Sequence, residues 1–143
     1  MAKEKPDAEQ SVATPIMILW KNILLLPIVG ILDSRHGQKI MERMLERIQE
    51  VEAKVIILDI LGVAVVDSEV ANLILKIGQA TKLMGCDCIT TGISPSIANT
   101  LVHLGIELKD MVTRTNLKDG LETAFGILGL EVKEKREAAK KTP

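Results

Sequence analysis

Apolar positions in this chain come in two kinds of run, short unbroken blocks and longer stretches where they recur every three or four residues. Residues 16–20 (IMILW) and 23–26 (ILLL) are blocks, separated only by Lys21 and Asn22. That spacing predicts a β-hairpin, with Pro27 ending or kinking its second strand and residues 28–32 continuing as extended chain. Asp33 and Ser34 then open a helix. Ile40, Met44, Leu45 and Ile48 fall on one stripe of it, while Glu42, Arg43, Glu46, Arg47 and Glu50 face water.

The next block, residues 54–60 (KVIILDI), is rich in β-branched side chains and reads as a central strand buried on both faces. After Gly62 and a short apolar stretch, Asp67 and Ser68 open a second helix, expected over 69–84. Its buried stripe is Val70, Leu73, Ile74 and Ile77, and Gly85 stops it. Residues 86–91 (CDCITT) form a strand. Ser94 followed by Pro95 starts a third helix that Gly105 ends. A short strand at 111–113 precedes a fourth helix capped by Asn116, with Leu117, Leu121, Ala124, Phe125 and Leu128 on its apolar stripe.

Strands alternating with helices imply crossover connections, hence an α/β fold with a mixed, mostly parallel sheet, four helices and the antiparallel N-terminal hairpin. The expected order is β-β-β-α-β-α-β-α-β-α. Residues 1–13 are expected to be a flexible arm or linker, 14–130 the folded domain, and 131–143 a charged tail that frays out as a solvated helix end. Ile16, Ile18 and Leu24 are expected near a sheet edge, where they invite self-association.

Composition narrows the function. The chain of 143 residues is 47% hydrophobic and 26% charged, the profile of one globular domain. Eighteen basic against nineteen acidic residues leave a net charge of −1, which attracts neither nucleic acid nor an anionic membrane. One Trp, one Phe and no Tyr give nothing on which to stack bases or sugars. No secretory pattern opens the chain, and its longest apolar stretch is broken by Pro15, Lys21, Asn22 and Pro27, so neither export nor a membrane span is expected. Cytoplasmic residence with reduced thiols at Cys86 and Cys88 is the expectation.

Catalytic patterns are missing. Neither common phosphate-binding glycine loop occurs, nor a G-x-S-x-G elbow. A triad of Ser34, Asp33 and His36 is geometrically poor, because residues two apart on one helical turn do not face each other. Cys86 and Cys88 with His36 and His103 could hold a metal, yet a lone C-x-C pair carries little weight. The expectation is no enzyme, no metal and no cofactor.

One pattern occurs twice: an apolar strand, Asp, Ser, and at once an amphipathic helix. The copies are Leu32–Asp33–Ser34 and Val66–Asp67–Ser68. Serine is a preferred N-cap, so each serine can be a helix cap and nothing more. Each is also expected at the surface, open to a kinase. A phosphate there adds roughly −1.5 to −2 charges at a helix end that tolerates anions. Modification would then leave the fold intact, while Asp33, or Asp67 with Glu69, makes the surface strongly negative and repels a partner.

The run ILDILGVAVVDSEVANLIL (57–75) is similar to the signature of STAS domains, named for sulfate transporters and anti-sigma-factor antagonists. More narrowly, LPIVGILDS (26–34) and TGISPSIANTLVHLGIEL (91–108) resemble the STAS domains of RsbR-type stressosome proteins. The resemblance covers about 15–129. It implies that Ser68 matches the phosphorylated hydroxyl shared with RsbS-type scaffolds, and Ser34 the additional site of RsbR-type chains, where Thr is usual. It also implies an assembly of many copies, a homo-oligomer with an RsbS-type STAS partner, carrying an RsbT-type serine/threonine kinase and reset by an RsbX-type phosphatase. RsbR-type proteins usually carry an N-terminal sensory domain, and only 1–13 precede the STAS region here. An excised domain and a short paralogue both fit. The rival readings are a stand-alone anti-sigma-factor antagonist bound to one anti-sigma kinase, where Ser34 would have no role, and a small-ligand binder using the strand ends.

Overall fold

The computed structural model describes residues 15–136. The arm expected at 1–13 and the last part of the tail lie outside the described residues. Strands β1 (Met17–Trp20) and β2 (Ile23–Gly30) form the hairpin, turning at Lys21 and Asn22, where Asn22 takes φ +67°. Asparagine tolerates that left-handed conformation, which a two-residue hairpin turn requires. Three crossovers follow: helix α1 (Ser34–Val51), β3 (Val55–Val63), α2 (Ser68–Leu83), β4 (Asp87–Thr91), α3 (Pro95–His103), β5 (Val112–Arg114) and α4 (Leu117–Ile127).

The sheet runs β1-β2-β3-β4-β5, with β1 antiparallel to β2 and every later pair parallel. This is the expected α/β architecture, with one strand fewer than the pattern implied. Pro27 does not break β2. The pairing of β1 ends with Met17 opposite Leu25, so at Pro27 the strand has only β3 beside it, and a residue lacking an N–H is tolerated there. The pairing slips between Pro27 and Val29, a bulge that bends the strand end.

Alternation along β2 and β3 divides the core. Leu24, Leu26 and Ile28 join Ile56, Leu58 and Ile60 beneath Ile40, Met44 and Ile48 of α1 and Val70, Ile74 and Ile77 of α2. Ile23, Leu25, Val55, Ile57 and Ile89 face Ala124 and Phe125 of α4 on the other side. The helical stripes read from the sequence are thus the faces that the helices bury, except at Leu117, which is exposed at the start of the last helix. Leu24, expected near an edge, is fully buried, because β2 is the second strand and not the outer one. Ile18 on β1 is exposed, and Trp20 meets Phe125 edge to face at 5.3 Å.

Gly37 lets the Leu73 side chain of α2 pack close against α1, since a Cβ there would stand 2.9 Å from Leu73 Cδ2. The last helix ends at Ile127, with Gly129 at φ +78° turning the chain out of it. Residues 131–136 are exposed and outside any helix, so the expected fraying helix end is not seen among them.

Candidate functional site

In an open parallel sheet the helix N-termini and strand carboxyl ends lie on one rim, where functional groups gather. On that rim β2 and β3 end side by side, the Ala64 N–H donating to the Gly30 carbonyl at 2.9 Å. Each strand leads within a few residues into an Asp and a Ser.

The two helix starts are built alike. Asp33 (φ −120°, ψ 176°) and Asp67 (φ −112°, ψ −171°) are extended. The Asp33 carbonyl already accepts from the Gly37 N–H, and the Asp67 carbonyl from the Ala71 N–H, each at 2.9 Å. Their side chains close the caps: Asp33 Oδ1 accepts from the His36 N–H and Asp67 Oδ1 from the Val70 N–H, both at 2.9 Å. The caps are therefore the aspartates, which corrects the expectation that Ser34 and Ser68 fill that role. Both residue types cap well, and the one whose carboxylate reaches the third N–H beyond it takes the position. Ser34 and Ser68 become the first residues of α1 and α2, exposed and relieved of capping. The other two predicted caps are as expected, Ser94 Oγ accepting from Ile97 N–H and Asn116 Oδ1 from Asp119 N–H.

The starts differ in their next residues. At α1 the ring Nδ1 of His36 lies 2.9 Å from the same Asp33 Oδ1 that its backbone N–H reaches. The backbone hydrogen bond is the main reason that the Asp33 carboxyl is held below the usual carboxylate range, with the charges of His36 and Arg35 adding to it. At α2 the corresponding residue is Val70, buried in the core, and Glu69 brings a further exposed carboxylate to the first turn. A groove of about 270 Å³ runs between the two helices, and Ser34, Gln38, Glu69 and Lys76 are among its walls. The structure thus brings Asp33, Ser34 and Glu69 to one groove, while Asp67 and Ser68 are not among the residues that line it.

The remaining candidates are elsewhere. Cys86 and Cys88 are buried free thiols, both packed in the core beneath α1 and α2, and burial pushes each up to about 12. Cys86 precedes β4 instead of opening it. His103 is exposed at the end of α3. Among the described residues no three His, Cys, Asp or Glu side chains are grouped to hold a metal, and no helix is long and apolar enough to cross a membrane. One polar pair had gone unread in the sequence: Thr91 Oγ1 donates to Asp59 Oδ1 at 2.6 Å across β3 and β4. The signal was a lone Asp in an otherwise apolar strand, and the pairing keeps its carboxylate satisfied against the sheet.

Residues 16–124 match the family model described as STAS domain. The RsbT co-antagonist protein RsbRA of Bacillus subtilis is 38% identical over 118 residues, a stretch that is 82% of this chain and 43% of that protein. The chain spans less than half the length of the curated RsbT co-antagonist relatives it matches. Among solved structures, a serine-to-glutamate variant of RsbS from Moorella thermoacetica superposes with a TM-score of 0.71 at 29% identity, covering 82% of this chain and 98% of that one. A chain from a structure of the molecular architecture of the stressosome, a signal integration and transduction hub, has a TM-score of 0.65 at 30% identity, covering 80% and 98%.

Proposed function

This chain belongs to the STAS domain family, and from that premise we propose that it is a non-catalytic scaffold of a stressosome-like complex, holding an RsbT-type serine/threonine kinase and switched by phosphorylation at Ser34 and Ser68. The observation that carries the reading is the pair of exposed serines at first helical positions, each behind an aspartate cap on adjacent strand ends. Similarity to an RsbT co-antagonist and to a stressosome chain supports the partner and the assembly.

The chemistry follows from the geometry. A kinase can reach either hydroxyl without unwinding a helix, because the capping bonds belong to Asp33 and Asp67. A phosphate added at the first helical residue lies at the positive end of the helix dipole, worth about 0.3–1 kcal/mol, so the fold keeps its shape. Only the surface changes. At Ser68 the new dianion joins Asp67 and Glu69, and a partner that packs against a neutral hydroxyl is released. An RsbX-type phosphatase resets the surface, and copies of this chain assemble with an RsbS-type partner in the cytoplasm.

The test is to incubate the protein with its cognate kinase and ATP and map phosphate by mass spectrometry. Phosphate at Ser68 and Ser34 is the expected result, and phosphate at neither would end the proposal. The second reading, a stand-alone anti-sigma-factor antagonist, is favoured by Ser68 alone, which would suffice for it. Solution mass separates the two: a scaffold forms a large assembly with its RsbS-type partner, and an antagonist does not.

A further inference from the structure

The outer face of α1, opposite the stripe that packs on the sheet, is charged along its length, and its charges are sorted by sign. Arg35, Lys39, Arg43 and Arg47 follow one another at intervals of four residues, and beside them run Glu42, Glu46 and Glu50 at the same interval. Residues four apart are neighbours on a helix, so each row sets like charges side by side, an arrangement that costs stability within one chain. Opposite charges stand three apart along the two rows, yet of these pairs only Arg47 and Glu50 meet among the described residues, Nη1 to Oε1 at 3.1 Å. An apolar margin borders the rows. Pro15 and Ile16 form a groove of about 260 Å³ with Arg43, Glu46, Arg47 and Glu50, and Ile18 on the edge strand β1 is 55% exposed. Ile18 pairs with Leu24, which lies beneath α1, so both side chains point to the same side of the sheet.

We propose that this face joins two copies of the chain, α1 against an antiparallel α1, about a two-fold axis at the level between Glu42 and Arg43. Charge complementarity selects that occupant. A two-fold contact brings the same patch of both subunits together. Turned end for end about that level, one copy sets its Arg35 at the height of Glu50 in the other, Lys39 at that of Glu46, and Arg43 at that of Glu42, and the axis makes each match twice. A parallel copy would instead set every charge at the height of its own like. The complement of each row is thus already carried by the chain itself, which favours a second copy over a foreign partner. Exposed ion pairs are individually weak, so the margin counts: the exposed part of Ile18 loses water when the copies close. The contact uses neither serine and needs no other protein, so it stands apart from the phosphorylation scheme.

The test follows the mass of this chain alone by sedimentation equilibrium, with denaturant unfolding as the check on folding. Wild type should dimerise at about 0.1 M salt and dissociate at about 1 M, where the screening length falls from about 10 Å to about 3 Å. An acidic variant (Arg35→Glu, Lys39→Glu, Arg43→Glu) and a basic variant (Glu42→Lys, Glu46→Lys, Glu50→Lys) should each raise the dimer dissociation constant by about tenfold or more. Mixed in equal amounts, the two should pair, because each now supplies the sign that the other lacks. A control with the net charge of the acidic variant (Lys109→Glu, Lys118→Glu, Lys133→Glu) alters exposed lysines away from α1. It should dimerise as wild type does and pair with the basic variant at least about tenfold more weakly than the acidic variant does. Wild type that stays monomeric at low salt, variants that dimerise as well as wild type, or a mixture that stays monomeric would each overturn the proposal. So would a control that pairs with the basic variant as tightly as the acidic one, since net charge alone would then account for pairing. Should a triple variant fail to fold, the wild type decides: association indifferent to salt overturns the proposal. None of these outcomes bears on phosphate mapping at Ser34 and Ser68.

Discussion

The starts of α1 and α2 share a pattern, a cap and an exposure, yet the two residues after each serine differ, and under the proposed scheme a phosphate at each would meet different neighbours. Ser34 is followed by Arg35 and by His36, whose ring bonds the Asp33 carboxylate at 2.9 Å. Ser68 is followed by Glu69 and then by Val70, which turns into the core. A dianion on Ser34 therefore has cationic or donor groups in its own first turn, whereas on Ser68 it lies between two carboxylates. If both serines are phosphorylated as proposed, identical local folds would carry unequal switches, because the backbone sets where the hydroxyl stands and the next two side chains set what its charge encounters.

The largest effect expected from this difference is on kinase retention. Ser68→Asp should weaken kinase binding by at least about tenfold, roughly 1.4 kcal/mol, and Ser34→Asp by clearly less. Exchanging the flanks, Glu69→Arg in one protein and Arg35→Glu in another, should move the two sites toward each other. Equal losses for Ser34→Asp and Ser68→Asp, with or without the exchange, would show that the flanks do not matter.

Next in size is the stability held by the caps. Asp67→Ala should lower unfolding free energy by about 1 kcal/mol, and Asp33→Ala should destabilise in the same direction, both read from denaturant midpoints. Asp33 adds a pH signature. Its folded carboxyl titrates below the ordinary carboxylate range, so its contribution is complete above that range and is lost as pH falls through the lowered value. Because the backbone N–H of residue 36 is the main cause, His36→Ala should leave most of the lowering in place when the carboxyl is followed by carbon NMR. A return to the ordinary value in that variant would assign the effect to the imidazole.

The smallest effects should come from the serines themselves. With the cap supplied by aspartate, Ser34→Ala and Ser68→Ala should change unfolding free energy by no more than about 0.5 kcal/mol, the usual range for exposed positions. A loss near 1 kcal/mol at either site would mean that the hydroxyl and not the carboxylate holds the helix end.

Much of this architecture was legible in the chain because burial and periodicity agree. The stripe Ile40, Met44, Ile48 and the run at 55–58 can be buried in only one way, and they are. Punctuation was harder. Pro27 looked like a strand end because its effect depends on whether a neighbouring strand lies on its N–H side, a tertiary fact. Asp and Ser adjacent to each other are both competent caps, so the position of the first helical carbonyl decides between them. The contact of His36 with Asp33 needed the turn to be placed before it could be seen. Ile31, Leu61 and Val65 read as continuations of apolar runs, and only the ends of the strands show that they have nothing above them.

The strand order carries a consequence for synthesis. Each strand pairs with the one made immediately before it, so no strand waits for a partner made beyond the next crossover. A ribosome emitting this chain at about 5–20 residues per second would release β1, β2, α1, β3 and α2 before β4. Both serine-bearing turns are made from that first portion, and the later strand pairs extend the sheet in one direction without reopening what is already joined. Translation order and spatial order coincide, which removes the need to hold an early strand unpaired while a distant one is made.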